Sequence, residues 1–145
     1  MVHALLGTRK ARKSEREKWA FGYPIIDTLG LKDLAFKRVS ELSYGQRKLV
    51  EVGRALAAQP QLLLLDEPTS GLGASEINDF IILLRKVMGT GLTIILVEHH
   101  MDVVKSISDT VTVLDEGRVI AGGDYREVSQ NPKVAEAYLG EVPSV

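Results

Sequence analysis

Four consecutive leucines at positions 62–65, followed directly by Asp66, Glu67 and Pro68, constrain the fold of this chain more than any other feature. A short apolar run without alternation is typical of a strand that is buried on both faces of a sheet. Residues 92–97 repeat the pattern, and the spacing of the apolar residues between the two runs predicts a helix: Ile77, Phe80, Ile81, Leu84 and Met88. This alternation of strands and helices predicts an α/β fold with parallel strands.

The segment before the first strand is expected to be mainly helical. Pro24 is predicted to break an N-terminal basic helix, because proline removes a hydrogen bond and crowds the preceding turn. Ser43 and Gln46 have the spacing of a capping box, which predicts the start of a second helix that ends before Pro60.

The segment after the second strand has a clear series of local signals. A short helix is predicted over residues 101–107, and residues 111–114 and 118–121 flank a turn sequence that indicates a β-hairpin. Asn131 and Pro132 are typical of the start of a last helix.

Composition excludes several classes of protein. The chain has 145 residues, 18 basic and 19 acidic side chains and no cysteine, which excludes a disulfide framework and a strongly charged disordered tail. Its longest apolar runs are far shorter than the roughly 18 residues of a membrane-spanning helix. Residues 1–20 contain six basic and two acidic residues. This basic segment could attract phosphates or anionic lipid, but we interpret it as a solvated helix face, since no aromatic ladder accompanies it.

Two carboxylates at the end of a buried strand are the first candidate for a functional site. The carboxyl edge of a parallel sheet is where α/β proteins place ligands. Asp66 and Glu67 are therefore expected to divide two tasks, one holding Mg²⁺ and the other polarising an attacking water. The alternative is that both acids simply leave the strand into a solvated loop.

Two further candidates are the histidines after the second strand and the N-terminus of the capped helix. An imidazole at His99 or His100 could donate to a phosphate oxygen, whereas zinc is less favoured because adjacent histidines lack ligand spacing. Residues 43–46 could present free backbone amides to a phosphate, or they could form an ordinary helix cap.

Taken together and in this order, residues 42–46, 62–72 and 95–99 resemble three motifs of an ATP-binding cassette (ABC) ATPase: the signature motif, the Walker B motif with its D-loop, and the switch histidine. The tail, over residues 113–123 and 131–140, further resembles the ATP-binding subunits of branched-chain amino-acid importers. The resemblance implies a partial P-loop NTPase core with parallel strands, part of the helical subdomain, and a C-terminal β-hairpin plus helix.

The same resemblance implies how the chain is divided. Residues 1–60 would be part of the helical subdomain, including the signature motif. Residues 61–145 would be the C-terminal half of the ATPase core, with the Walker B motif, the D-loop, the switch histidine and the C-terminal helix.

The resemblance also implies roles for single residues. Asp66 would take part in Mg²⁺ coordination, Glu67 would be the general base for water, and His99 would contact the γ-phosphate of ATP. Four residues would serve the ATP held by an opposite subunit: Ser43, Tyr44, Gly45 and Gln46. Two positions depart from the family pattern, since Gly73 stands where Asp, Asn or Ser is usual and His100 stands where Asp is common.

Partners and location follow from the resemblance as well. Such cassettes work as head-to-tail dimers, so it implies a second ABC ATPase subunit and transmembrane permease subunits as partners, and no nucleic acid. It further implies a cytoplasmic protein, bound peripherally at the cytoplasmic face of the cell membrane.

One family motif is missing from the sequence. A phosphate-binding loop, Gly-x-x-x-x-Gly-Lys-Ser/Thr, opens a complete cassette, but no glycine is followed by lysine anywhere in this chain. We therefore expect the chain to be the C-terminal part of a cassette and to be inactive in ATP hydrolysis alone. The strand at 62–65 would then lack neighbours, and its open edge predicts aggregation or reliance on a partner.

Two other interpretations stay open. The chain could be a non-catalytic truncated cassette that donates residues 42–46 to a partner's nucleotide. It could also be a fragment of a DNA-maintenance ABC ATPase, although residues 1–41 show no sustained heptads.

Overall fold

A computed structural model describes residues 9–139 of the chain. Residues 1–8, where the basic segment begins, and residues 140–145, which include Gly140 of the tail, lie outside the described residues. The chain forms two compact units that divide after Val97. The first unit contains, in chain order, helix α1 (Arg9–Thr28), two 3-10 turns (Lys32–Leu34 and Val39–Glu41), α2 (Tyr44–Leu56), strand β1 (Leu62–Asp66), α3 (Ala74–Met88) and β2 (Thr93–Val97).

Helix α1 continues through Pro24, so the prediction that this proline breaks it is wrong. The cost of the missing hydrogen bond is about 3 kcal/mol in a helix interior. Packing beyond the proline opposes that cost, because Leu29 is buried and a methyl group added to Gly53 of α2 would overlap its side chain. Gly30 then ends the segment with a φ of 67°, a conformation that glycine adopts readily after a helix.

Helix α2 begins as the capping box predicts. The Ser43 side chain accepts a hydrogen bond from the Gln46 amide at 3.2 Å, and the Gln46 side chain accepts one from the Ser43 amide at 3.0 Å. Two amides that the helix cannot satisfy are thereby bonded reciprocally. The buried face of α2 includes Val52 and Gly53.

The central sheet of the first unit has two parallel strands, which confirms the predicted α/β arrangement. Leu63 pairs with Ile94 and Asp66 pairs with Val97, so both strands end at the same edge. Helix α3, which connects the strands, buries five side chains: Phe80, Ile81, Leu83, Leu84 and Val87.

The prediction that β1 is buried on both faces is wrong for this chain. Leu63 is buried with 4% of its surface exposed, whereas Leu64 is 66% exposed. The alternate residues Ile95 and Val97 of β2 are also more than half exposed. Successive side chains of a strand point to opposite faces, so one apolar face of this sheet is covered and the other faces solvent.

The second unit contains α4 (Met101–Ile107), β3 (Val111–Asp115), β4 (Arg118–Gly123), α5 (Tyr125–Ser129) and α6 (Pro132–Leu139). The predicted hairpin is confirmed, with β3 and β4 antiparallel and a turn at Glu116 and Gly117, whose φ angles of 46° and 76° are both positive. Two positive φ angles define the turn type that matches the twist of a two-residue hairpin.

Among residues 9–139, no helix combines the length and the apolar character that crossing a bilayer would require.

Candidate functional site

The end of β1 places two carboxylates at the carboxyl edge of the sheet. Asp66 is the last residue of the strand and is exposed, and Glu67 follows it with a φ of 41°. The Glu67 amide nevertheless donates to the Val97 carbonyl at 2.9 Å, so the backbone stays tied to β2 while it leaves the extended conformation. A non-glycine residue in the left-handed region costs about 1–3 kcal/mol, and such strained residues cluster at functional sites as well as in turns.

The loop that follows the two carboxylates is held in place by buried residues and by a backbone hydrogen bond. Pro68 and Thr69 are buried, and Thr69 has no exposed surface. The Ser70 amide donates to the Glu67 carbonyl at 3.1 Å, which closes a turn directly after the strand. The two carboxylates are therefore followed directly by buried residues and not by a long solvated segment.

A cavity of about 230 Å³ lies between α2 and β1, beside Asp66. Its lining includes Lys48 and Glu51 from α2 and Phe80 from α3. Asp66 therefore shares this cavity with a cationic and an anionic side chain, and the apolar part of the lining comes from the strand leucines together with side chains of α2, α3 and the loop after β1.

The N-terminus of α2 forms the second part of the site. Because the Ser43 hydroxyl accepts from Gln46, its own proton can be donated to another acceptor. The Tyr44 ring is 5.7 Å from the Lys48 ammonium and 6.0 Å from the Arg47 guanidinium. This helix end is the positive end of the helix dipole, and two cationic side chains lie close to it. It is therefore suited to binding an anion.

Residues 43–46 pack against the loop that follows β1. A methyl group added to Gly71, whose φ is 78°, would meet the Tyr44 ring at 3.1 Å. One added to Gly45 would overlap the Glu76 carboxylate, which accepts a hydrogen bond from the Gly73 amide at 3.0 Å. The structure therefore brings the predicted residues 43–46 together with the loop of the predicted residues 66 and 67.

A separate group of candidate residues lies in the second unit, at residues 98–100. His99 is exposed, and its ring centroid is 4.4 Å from that of His100. The Glu98 carboxylate accepts from the amides of His99 and His100 at 3.0 and 3.2 Å and lies 3.2 Å from Nδ1 of His100. Ligand atoms of all three residues lie within 4.8 Å of one another, a proximity that sequence spacing had argued against. They follow β2 in irregular backbone, so the alternation of a strand does not separate them.

Sequence reasoning missed two residues that contact these candidate residues, one in each unit. Tyr138 of α6 donates its hydroxyl to the backbone carbonyl of His99 at 2.9 Å, across 39 positions of sequence, and no local pattern could have found it. Glu76 could have been found, because its spacing from Gly73 is that of a capping box.

Comparison with known proteins gives the class of this chain. Residues 4–70 match the ABC transporter family, and residues 118–143 match the family described as branched-chain amino acid ATP-binding cassette transporter. In structure, the chain superposes on a nucleotide-free ATP-binding cassette from an ABC transporter with a TM-score of 0.80 and 32% identity, covering 97% of this chain and 56% of that one. The ADP conformation of another such cassette gives a TM-score of 0.79 at 34% identity, covering 86% and 51%. These matches identify ABC transporter ATP-binding sequence in the chain and the fold of part of such a cassette.

Within that family, its relatives include branched-chain amino acid transport proteins. It is 36% identical to the high-affinity branched-chain amino acid transport ATP-binding protein BraF of Pseudomonas aeruginosa, covering 94% of this chain and 54% of that protein. It is also 36% identical to the corresponding protein LivG of Escherichia coli strain K12, covering 97% and 56%. The chain therefore spans about half the length of the curated relatives it matches.

Proposed function

We propose that this chain is the C-terminal part of the ATP-binding subunit of an ABC importer for branched-chain amino acids. Within a complete cassette it would couple ATP binding and hydrolysis to transport. The observation that carries the proposal is the pair of carboxylates at the shared edge of two parallel strands, with Asp66 opposite Val97 and Glu67 in a strained backbone conformation. The names of its relatives support the substrate class.

In this proposal the two carboxylates have different tasks. Asp66 takes part in holding Mg²⁺, and its exposed carboxylate at the sheet edge fits the preference of that cation for oxygen ligands. Mg²⁺, when bound, supplies charge neutralisation at the phosphates. Glu67 accepts a proton from the attacking water, since a carboxylate within reach of a water can act as a general base.

The remaining residues act on phosphate groups. His99 donates to the γ-phosphate, which its exposed position after β2 allows. Across a head-to-tail dimer, the nucleotide of the opposite subunit would meet Ser43, Tyr44, Gly45 and Gln46. The spare proton of the Ser43 hydroxyl and the positive helix end support this role. The partners would be a second cassette and transmembrane permease subunits, which would hold the assembly at the cytoplasmic face of the membrane.

The proposal is tested first by ATP hydrolysis. The sequence contains no Gly-Lys pair, so the purified chain alone is expected to show no turnover above background. Turnover at the rate of an intact cassette would contradict this expectation, because it would require a phosphate-binding element that the sequence does not supply.

The second test is association that depends on ATP. The chain is mixed with an intact branched-chain cassette, such as that of Escherichia coli, and we expect co-elution with MgATP and none without it. Ser43→Ala should weaken the association, whereas Ser40→Ala, an exposed serine outside the helix cap, should not. Association that ignores both ATP and Ser43 would overturn the proposal.

A non-catalytic role is the second candidate. Residues 43–46 form a complete helix cap in a chain that has no phosphate-binding loop sequence, so the chain could donate these residues to a partner's nucleotide without hydrolysing its own. The ATPase rate of the mixed assembly tests the donor role: Ser43→Ala should lower that rate and Glu67→Gln should leave it unchanged. A rate that Glu67→Gln lowers would contradict a role limited to donation.

A further inference from the structure

The backbone of His99 is held from both sides by hydrogen bonds within the second unit. Its amide donates to the Glu98 carboxylate at 3.0 Å, and its carbonyl accepts from the Tyr138 hydroxyl at 2.9 Å. A residue whose amide and carbonyl are both fixed has little freedom in its two peptide planes. These planes set the direction of its Cα–Cβ bond and restrict the rotamers that its side chain can adopt.

The first of these bonds rests on a fixed group. The Glu98 side chain has no exposed surface, and the same carboxylate oxygen also bonds to the amide and lies near Nδ1 of His100. Burial of a carboxylate is costly unless it is hydrogen-bonded, so these bonds keep Glu98 in one position. Glu98 is therefore a rigid support beneath the two histidines.

The second bond comes from another element. Tyr138 lies on α6, and 58% of its surface is exposed, so its ring is not a core side chain. Its hydroxyl nevertheless reaches a carbonyl 39 positions away in sequence. The Tyr138 hydroxyl thus links α6 to the loop of His99.

We propose that Tyr138 is a positioning residue for His99. With the buried Glu98 it sets the direction of the His99 ring, so that α6 determines whether this ring faces a phosphate. The proposal deepens the function proposed above, since it rests on the assignment of His99 to the γ-phosphate. Tyr138 lies inside the segment that matches the branched-chain cassette family, residues 118–143, and this control of His99 would then belong to that part of the family.

The test uses a property of this sequence. The chain contains three histidines, and His99 and His100 form its one His-His pair. When histidine labelled with ¹³C at the carbonyl and ¹⁵N at the amide is incorporated, an HNCO spectrum of the full chain contains one cross-peak. That cross-peak joins the His99 carbonyl to the His100 amide, and it reports directly on the acceptor of the Tyr138 bond.

Tyr138→Phe removes the hydroxyl and keeps the ring, and Tyr125→Phe on α5 is the matched control. We expect the His99 carbonyl resonance to move upfield in Tyr138→Phe and to stay in place in Tyr125→Phe. The three-bond couplings of the His99 side chain should also change toward averaged values in Tyr138→Phe alone. A carbonyl resonance that does not move, or one that moves while the side-chain couplings stay unchanged, would overturn the proposal. The spectra contain no nucleotide, so the result is independent of ATP-dependent association.

Discussion

Replacing Glu67 by glycine is expected to give a more stable chain than replacing it by alanine. Glu67 has a φ of 41°, a conformation that costs an L-residue about 1–2 kcal/mol and glycine almost nothing. Glycine in turn loses about 0.5–1 kcal/mol more conformational entropy on folding. The difference of the two mid-range values favours glycine by about 0.75 kcal/mol. Alanine is the proper reference because alanine and glycine both remove the Glu67 carboxylate.

The stability of the Glu67 variants can be measured through the fluorescence of Trp19, the single tryptophan of the sequence. It lies on α1 in the same compact unit as Glu67, so its fluorescence during urea denaturation reports on unfolding of that unit. The control is Glu51, an exposed residue of α2, where glycine should be less stable than alanine by about 1 kcal/mol. If the glycine variant is also less stable than the alanine variant at position 67, the backbone of Glu67 is not strained and the reasoning is refuted.

Three further predictions concern the cap, the sheet face and a surface ion pair. Ser43→Ala should lower the free energy of unfolding by about 1 kcal/mol through loss of the helix cap, while Ser40→Ala should change it by less than about 0.5 kcal/mol in the same urea titration. Leu64→Lys should reduce self-association in sedimentation velocity with little loss of stability, and an unchanged distribution would contradict this. The hydrogen bond to Asp27 at 2.6 Å raises the pKa of Lys32 above its usual value, so the stabilisation is present below that value and is lost as the pH rises through the raised pKa. Asp27→Asn should remove this alkaline loss, measured as the urea midpoint against pH.

The sequence correctly predicts that these candidate residues lie at or just after the ends of the strands, but it does not predict the directions of their side chains. Asp66 and Glu67 are adjacent, and strand alternation would separate them to opposite faces. The positive φ of Glu67 shows that the chain has already left the strand there, so alternation no longer applies. The same holds after β2, where the rings of His99 and His100 lie 4.4 Å apart although neighbours in a strand would diverge.

Local signals with a specific hydrogen-bond geometry were predicted well, and long-range packing was not. The Ser43 cap and the hairpin turn at Glu116 depend on residues a few positions apart, and both are confirmed. Pro24 lies inside α1 instead of ending it, and the residue after the helix, Leu29, packs over Gly53, a contact that joins distant parts of the sequence. The hydrogen bond from Tyr138 to His99 is likewise a long-range contact, and no local sequence pattern indicates it.

Strand β1 is apolar on both of its faces, but only one face of its sheet is covered in this chain. Burying a leucine-sized side chain contributes about 1.5–3 kcal/mol. Four apolar side chains on the open face are between 47% and 66% exposed: Leu62, Leu64, Ile95 and Val97. About half of their surface is thus still to be buried, and covering it would contribute on the order of 3–6 kcal/mol before the cost of association. A two-stranded sheet also leaves backbone groups unpaired along its edges, which favours pairing with other chains. Self-association through this face is therefore the expected behaviour of the chain alone, and a lysine at position 64 opposes it because its charge would have to be buried.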